Sequence, residues 1–341
     1  MTGGAPSRAV CWVVTDGRAG IEAQALGLAE AIGRVRPIEI EVKRIVLRAP
    51  WRYLPRQLIG DGFSKLAADR SPLAPQTADL LPDLWPDLWP DLWIACGRAS
   101  VPLTIGVKRK SPRTFTVQLQ APRAPAALFD VVAPPAHDRL TGPNVIPIIG
   151  APNRIDRDAL TGSPNANRAG GDVVAVLVGG SSGAFRFSVD DARRLASQLR
   201  ALAVAGAALW VTTSRRTPQD VAALLLARLG DVAKTFWRAD ADAPGDNPYP
   251  KMLAVADHVI VTEDSVNLAS EAAMTGKPVH VFALSRRRFG NAEKFDRFHT
   301  QLRQAGAARP FTGALENWRY EPVDETARLA GEIVKRWRAA Q

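Results

Sequence analysis

Residues 257–284 read DHVIVTEDSVNLASEAAMTGKPVHVFAL and leave little choice of fold. Residues 258–261 are a short β-branched run, the composition of a strand buried on both faces. Four polar residues follow: Thr262, Glu263, Asp264 and Ser265. A helix is predicted from about Val266 to Met274. Gly276 stands where a left-handed terminator is needed, and Pro278 bars continuation. Residues 279–282 form the next strand. The polar residues of this βαβ unit gather at the carboxyl end of its first strand, the edge at which open α/β sheets bind ligands. Capping alone would explain Thr262 or Ser265, and dipole compensation would explain Glu263 and Asp264. A cap needs one such residue, however, not four in a row. Asn267 and Glu271 add polar groups on the following turns, so a ligand site is expected here.

At 341 residues the chain exceeds one ordinary core, and two domains are expected. It contains no run of about 18 apolar residues that would cross a membrane. The first residues lack the apolar stretch and cleavage site of a signal peptide and pass almost directly into a strand. The expected location is cytoplasmic, with peripheral attachment at the inner membrane face left open. The two cysteines, Cys11 and Cys96, lie in predicted buried strands and suit a reducing compartment. The histidines, His137, His258, His280 and His299, have no metal-ligand spacing, so no metal and no cofactor are expected. A net charge of +10 points to anionic partners: phosphates or an acidic membrane face. Nucleic acid is not an expected partner, because no nucleic-acid motif or aromatic-interleaved basic stretch occurs.

The first half, residues 1–152, is predicted to be Rossmann-like. Residues 9–15 form a strand, Asp16-Gly17-Arg18-Ala19-Gly20 a tight turn, and residues 21–32 a helix closed by Gly33. Strand, glycine loop and helix in that order aim free N–H groups into the loop. Asp16 would repel a phosphate there, which suits a general base or a partner for sugar hydroxyls. Gln24 is placed to point back toward the same loop; the plain alternative is an ordinary βα turn. Residues 49–58 combine Pro, Trp and Arg in a loop that either touches a membrane face or packs on its own Trp. PDLW occurs three times between Pro82 and Trp93. A proline every fourth residue excludes a helix interior or a central strand, so the last copy reads as the entry to a strand at residues 92–96 and the earlier copies as a lengthened loop exposing tryptophans. Arg98 follows the strand at residues 92–96 and can reach a cleft. Residues 114–120, 129–133 and 145–149 complete the strands of this half.

Residues 153–172 carry no apolar period and read as the linker. The second half, residues 173–322, restarts with the apolar strand 173–178 and the loop Gly179-Gly180-Ser181-Ser182-Gly183. Glycines that permit close backbone approach, together with serine hydroxyls, suit a phosphate or diphosphate. Ser188 caps the next helix. The strand at residues 207–213 ends in Thr212-Thr213-Ser214-Arg215-Arg216, again polar at its carboxyl end. Asn247 and Tyr249 are placed to face the cleft. Residues 323–341 form a final amphipathic helix that crosses back onto the first domain.

Two Rossmann-like halves, each with a glycine loop after its first strand, resemble the GT-B architecture of nucleotide-sugar glycosyltransferases, in which two α/β domains face a cleft. GGSSG is similar to the donor-domain loop of the lipid-intermediate N-acetylglucosaminyltransferases. A tighter resemblance covers nearly the whole chain. TDGRAG with Gln24, GRAS, VGGSSG, TTSRRTP, NPYP and VTEDSVNLASEA–TGKPV occur in that order, as in the mitochondrial-fission ELM-type family. Some bacterial members of that family carry a nucleoside-diphosphate-sugar epimerase label; this chain has no Tyr-x-x-x-Lys pair and no GxGxxG.

The resemblance implies that Gly180, Ser181 and Ser182 meet a donor diphosphate, with Arg215 offsetting its charge beside Thr213 and Ser214. Glu263, Asp264 and Ser265 would lie near ribose or sugar hydroxyls, with Asn267 behind them and Glu271 on the ribose. Asp16 would face the acceptor as base, with Gly17, Gln24 and Arg98 around it, and Asp264 is the second catalytic candidate. The corresponding base in such transferases is often histidine, which this loop lacks. The expected function is a metal-independent glycosyltransferase using a nucleotide-diphosphate-sugar donor. Two alternatives stay open: a non-catalytic adaptor at an anionic membrane or a protein, and a nucleoside-diphosphate-sugar epimerase.

Overall fold

The computed structural model describes residues 8–54, 62–67, 73, 89–157, 160, 171–239 and 247–341. Two compact units emerge, one made of Met1–Arg154 with Glu325–Gln341 and the other of Ile155–Asp324. Most of the expected linker and the first copies of the PDLW repeat lie outside the described residues.

In the first unit the order is β1 (Ala9–Thr15), α1 (Ala19–Val35), β2 (Ile38–Arg44), β3 (Leu92–Cys96), α2 (Val101–Lys110), β4 (Phe115–Leu119) and β5 (Val131–Ala133). The strands lie in the order β2-β1-β3-β4-β5, every pair parallel. β3 and β4 are buried along their whole length, whereas edge strand β2 has no fully buried residue and carries the charged residues Glu39, Glu41, Lys43 and Arg44. Charges of this kind protect an open edge from further pairing. α1 does not stop at Gly33 as expected but runs on to Val35. It ends where Pro37 forces Arg36 into extended backbone. Nor do residues 145–149 become a strand. Only the single bridges Val132↔Val145 and Pro135↔Ile148 form, since Pro147 interrupts the run and has no N–H to give a ladder. Trp89, expected to be exposed, is a core residue like Trp93 of β3, and both meet Trp12 and Phe63. The Trp93 indole N–H reaches Thr104 Oγ1 at 3.1 Å, so its polar tip is satisfied as well.

The second unit runs β6 (Val173–Val178), β7 (Phe185–Arg186), α3 (Val189–Val204), β8 (Ala208–Thr213), α4 (Gln219–Leu229), β9 (Thr235–Arg238), α5 (Tyr249–Val255), β10 (His258–Thr262), α6 (Val266–Met274), β11 (Val279–Phe282), β12 (Ser285–Arg286), α7 (Glu293–Gln304) and β13 (Ala308–Pro310). Its sheet is parallel, in the order β13-β11-β10-β6-β8-β9. Ser188 caps α3 in a reciprocal capping box with Asp191. Gly276, at φ +73°, supplies the left-handed step after α6.

The last helix, α8 (Glu325–Ala339), belongs to the first unit. Leu329, Ala330, Ile333, Val334 and Trp337 form one apolar stripe that joins the core built on Ala25, Leu28, Ala29 and Ile32 of α1. The chain leaving this unit also crosses α1. A Cβ on Gly27 would lie 2.1 Å from the Asn153 carbonyl oxygen, so only glycine fits there. Asn153 N–H in turn donates to Thr326 Oγ1 on α8 at 3.0 Å.

In each sheet the strand order reverses once beside the first strand. Chain order leads from β1 to β2 on one side and to β3 on the other, and from β6 to β8 on one side and to β10 on the other. Loops at such switch points diverge and leave a crevice beyond the carboxyl ends of the strands. Four of the loops that the sequence marked, those after β1, β3, β6 and β10, border these two points.

Candidate functional site

At the switch point of the second unit three loops are tied into one body. Asp264, 3% exposed, is the knot. Its Oδ2 accepts the Gly180 N–H at 2.9 Å and the Arg216 guanidinium at 2.9 Å, and its Oδ1 accepts the Thr262 hydroxyl at 2.7 Å. Thr262 Oγ1 in turn accepts the Gly179 N–H at 2.8 Å. The third loop joins through Thr217, whose hydroxyl donates to the Gly179 carbonyl and accepts the Ser214 N–H at 3.0 Å. Glycine is required at two points. A Cβ on Gly179 would meet Asp264 Oδ1 at 2.4 Å, and one on Gly180 would meet the Arg216 carbonyl oxygen at 2.0 Å. The loop is thus pressed onto its neighbours, and its backbone is the surface presented at the switch point.

The serines complete the turn. Ser181 Oγ accepts the Phe187 N–H at 3.0 Å, and Ser182 Oγ accepts those of Ala184 and Phe185, each at 3.2 Å. The Ser182 N–H closes onto the Phe185 carbonyl at 2.9 Å. With the Gly180 and Ser182 amides engaged in this way, those of Ser181 and Gly183 have no partner among the described residues. Both residues reach solvent. Successive N–H groups in a tight turn form a cradle for anionic oxygens.

Burial sets the electrostatics. It pushes the Asp264 carboxyl above the usual carboxylate range, while Arg216, the Gly180 amide and the Thr262 hydroxyl pull it back. Glu263 is raised for the same first reason, opposed by the Leu284 N–H, which reaches its Oε1 at 2.9 Å. Glu271 is pushed up to about 7 by burial and accepts a hydrogen bond from the Tyr249 hydroxyl, which opposes the shift. The Tyr249 hydroxyl is itself raised, first by burial and then by the charge on Glu271. No group of three or more metal-ligating side chains occurs among the described residues.

Several expected roles change on this geometry. Asp264, expected to be reactive, has both oxygens occupied inside the protein and positions the glycine loop. Arg215, expected to meet the phosphates, is exposed and makes no ion pair among the described residues, whereas its neighbour Arg216 binds Asp264. Two adjacent arginines in a loop carry no periodicity that would tell the sequence reader which turns inward. Glu263 faces the β11 end through Leu284 rather than the glycine loop. Ser265 is the cap of α6 and accepts the Leu268 N–H. Asn267 is half-buried on the first turn of that helix. Thr213 is buried at the end of β8, and its Oγ1 has no partner among the described residues.

The switch point of the first unit gathers Asp16, Gly17, Gln24 and the β3 end. Asp16 takes the Arg18 guanidinium on both oxygens, at 2.9 Å (Nε) and 2.7 Å (Nη2) on Oδ2 and at 3.1 Å (Nε) on Oδ1. The expected base is thus an ion-pair partner. Gly17, at φ +76°, donates its N–H to Thr15 Oγ1 at 3.2 Å. Gln24 is buried and accepts from the Gln120 amide at 3.1 Å and from the Cys96 thiol at 3.5 Å. Gln120, which the sequence did not mark as a site residue, sits at φ +66° directly after β4. A non-glycine residue in that region is uncommon, and here the conformation accompanies its bond to Gln24. Arg98 is exposed just beyond β3.

Comparison with known proteins brings four likenesses. The family described as mitochondrial fission ELM1 matches residues 19–337. The chain is 32% identical over 274 residues to mitochondrial fission protein ELM1 of Arabidopsis thaliana, a match that takes in 70% of this chain and 62% of the plant protein. It thus spans less than two thirds of that relative. It is 28% identical over 370 residues to the uncharacterized protein RP120 of Rickettsia prowazekii (strain Madrid E), with 95% and 97% of the two chains covered. Among solved structures, UDP-GlcNAc 2-epimerase from Neisseria meningitidis bound to UDP-GlcNAc is similar, with a TM-score of 0.50 and 10% identity over 97% of this chain and 94% of that one. At such identity the likeness is one of fold. Two Rossmann-like units in one chain are the GT-B-like class expected from the sequence.

Proposed function

We propose, for a chain that belongs to the mitochondrial fission ELM1 family, that the second unit binds a nucleoside-diphosphate sugar at its switch point and transfers the glycosyl group without a metal. The observation that carries this reading is the braced glycine loop. Asp264, Thr262, Arg216 and Thr217 hold Gly179 and Gly180 where no side chain fits, and the Ser181 and Gly183 amides are left to bind. A diphosphate lying on those amides would leave with its charge met by fixed dipoles, which need not reorganise during the reaction. Exposed Arg215 lies on the neighbouring loop and can move onto the phosphates. Glu271, which accepts the Tyr249 hydroxyl on one oxygen, takes the ribose hydroxyls. Asp264 acts here as a positioning residue.

The test is calorimetry with UDP-, GDP-, ADP- and dTDP-sugars on the full chain. Binding of at least one is expected, with loss in Gly180→Ala; no binding to any of the four overturns the reading. With the donor that binds, NMR of the sugar separates two chemistries. Loss of the nucleoside diphosphate from the sugar supports transfer, whereas inversion at one sugar carbon with the nucleotide still attached indicates an epimerase.

A further inference from the structure

We infer that the ribbon formed by β7 and β12 is a membrane-contact tip whose partner is an anionic lipid surface. This goes beyond the nucleotide-sugar reading and does not depend on it. β7 and β12 pair antiparallel, apart from the main sheet, with Ser285 opposite Arg186 and Arg286 opposite Phe185. The chain then turns through Arg287, Arg288, Phe289 and Gly290.

Phe289 is 95% exposed at this turn. The neighbouring phenylalanines Phe185, Phe295 and Phe298 are all buried, so the fold has a core that takes such rings and leaves this one out. Four arginines surround it. Arg288 places its guanidinium 5.5 Å from the Phe289 ring centre. Arg186 and Arg288 have no carboxylate partner among the described residues. Arg287 gives its Nε to the neutral carbonyls of Ser182 and Phe185, at 2.8 and 3.2 Å. Among the described residues, only Arg286 of the four is neutralised, by Asp296. An aromatic ring ringed by unneutralised arginines has the composition of an interfacial anchor: the ring enters the acyl boundary while the guanidinium groups meet lipid phosphates.

The turn is fixed rather than loose. Gly290 N–H donates to the Arg287 carbonyl at 3.0 Å, and Arg287 N–H to the Ala184 carbonyl at 2.9 Å. A Cβ on Gly290 would lie 2.7 Å from the Gly183 carbonyl oxygen, so the turn rests directly on the glycine loop. Asp191 holds the far side through the Ser285 N–H at 3.2 Å. Little conformational freedom is lost when such a tip docks. A nucleic acid fits this surface less well. Single strands are held in a groove by several stacking rings, and here a single exposed ring stands on the turn.

The experiment is co-sedimentation of the full chain with vesicles of phosphatidylcholine, alone or in an equimolar mixture with phosphatidylglycerol, with single-stranded RNA as competitor. Binding to the anionic vesicles only is expected. Arg288→Ala should weaken it about fivefold, the effect of one arginine near a charged surface. Phe289→Ala should weaken it about tenfold or more. Both side chains are solvent-exposed, so neither variant should unfold the protein. A second readout uses Phe289→Cys with an environment-sensitive dye; the native Cys11 and Cys96 are buried and do not compete for it. Blue-shifted emission on anionic vesicles is expected. Three results each overturn the inference: vesicle binding unchanged by both substitutions, no emission shift, or RNA that abolishes vesicle binding while itself binding the tip.

Discussion

Replacing Glu271 by glutamine should flatten one part of the pH dependence of stability. The carboxyl, ordinarily at 4.5, is pushed up to about 7 because the fold buries it. The folded protein therefore keeps this proton over an interval in which the unfolded chain has released it. Stability from the group is full below its ordinary value and is lost as pH rises through about 7. Between about pH 5 and about pH 8 the loss amounts to roughly 2–3 kcal/mol. Glutamine cannot ionise but keeps an oxygen for the Tyr249 hydroxyl. Urea unfolding followed by far-UV circular dichroism, on both proteins across this range, measures the difference. Other titrating groups, such as His280, which burial lowers to about 4, are common to both proteins and cancel. The wild-type curve should fall relative to the variant by the stated amount as pH rises. Parallel curves, or a relative rise, would refute the argument that burial controls this carboxyl.

Three further outcomes follow from the same packing. Gly180→Ala must move backbone by about 1 Å to clear the Arg216 carbonyl, and should cost about 1–3 kcal/mol in urea unfolding while abolishing nucleotide-sugar binding. Asp264→Ala strands the Gly180 amide and Thr262 hydroxyl and should destabilise by about 2–4 kcal/mol; Asp264→Asn keeps an acceptor and should lose about half of that or less, a contrast that thermal melts can read. Trp337→Ala empties the α1–α8 seam and should cost about 3–5 kcal/mol, with the circular-dichroism transition of the first unit moving to lower urea.

The sheets were legible because parallel strands buried on both faces need unbroken apolar runs, and β6 and β10 are such runs. The glycine loop was legible because GGSSG between a strand and a capped helix has few other uses. What each polar side chain does at the strand ends was less readable. Glu263, Asp264 and Ser265 are consecutive, yet one ties down β11, one knots the glycine loop and one caps a helix. The first two fates depend on partners 21 to 84 residues away, Leu284, Arg216 and Gly180, which no local pattern encodes. The same limit explains Arg215 and Arg216, whose roles are set by a loop backbone rather than by composition. The strand expected at residues 145–149 failed for a reason that was visible, Pro147, but its apolar neighbours outweighed it in the reading.

The seam between α1 and α8 also bears on biosynthesis. Everything needed for Ile155–Asp324 is contiguous, so that portion can mature as soon as it has been translated. The portion begun first cannot, because Leu28 and Ile32 have no cover until residues 325–339 emerge. On the ribosome the nascent amino-terminal half must carry an uncovered greasy flank while more than half the polypeptide is still to be made, and chaperone holding is most needed in that interval.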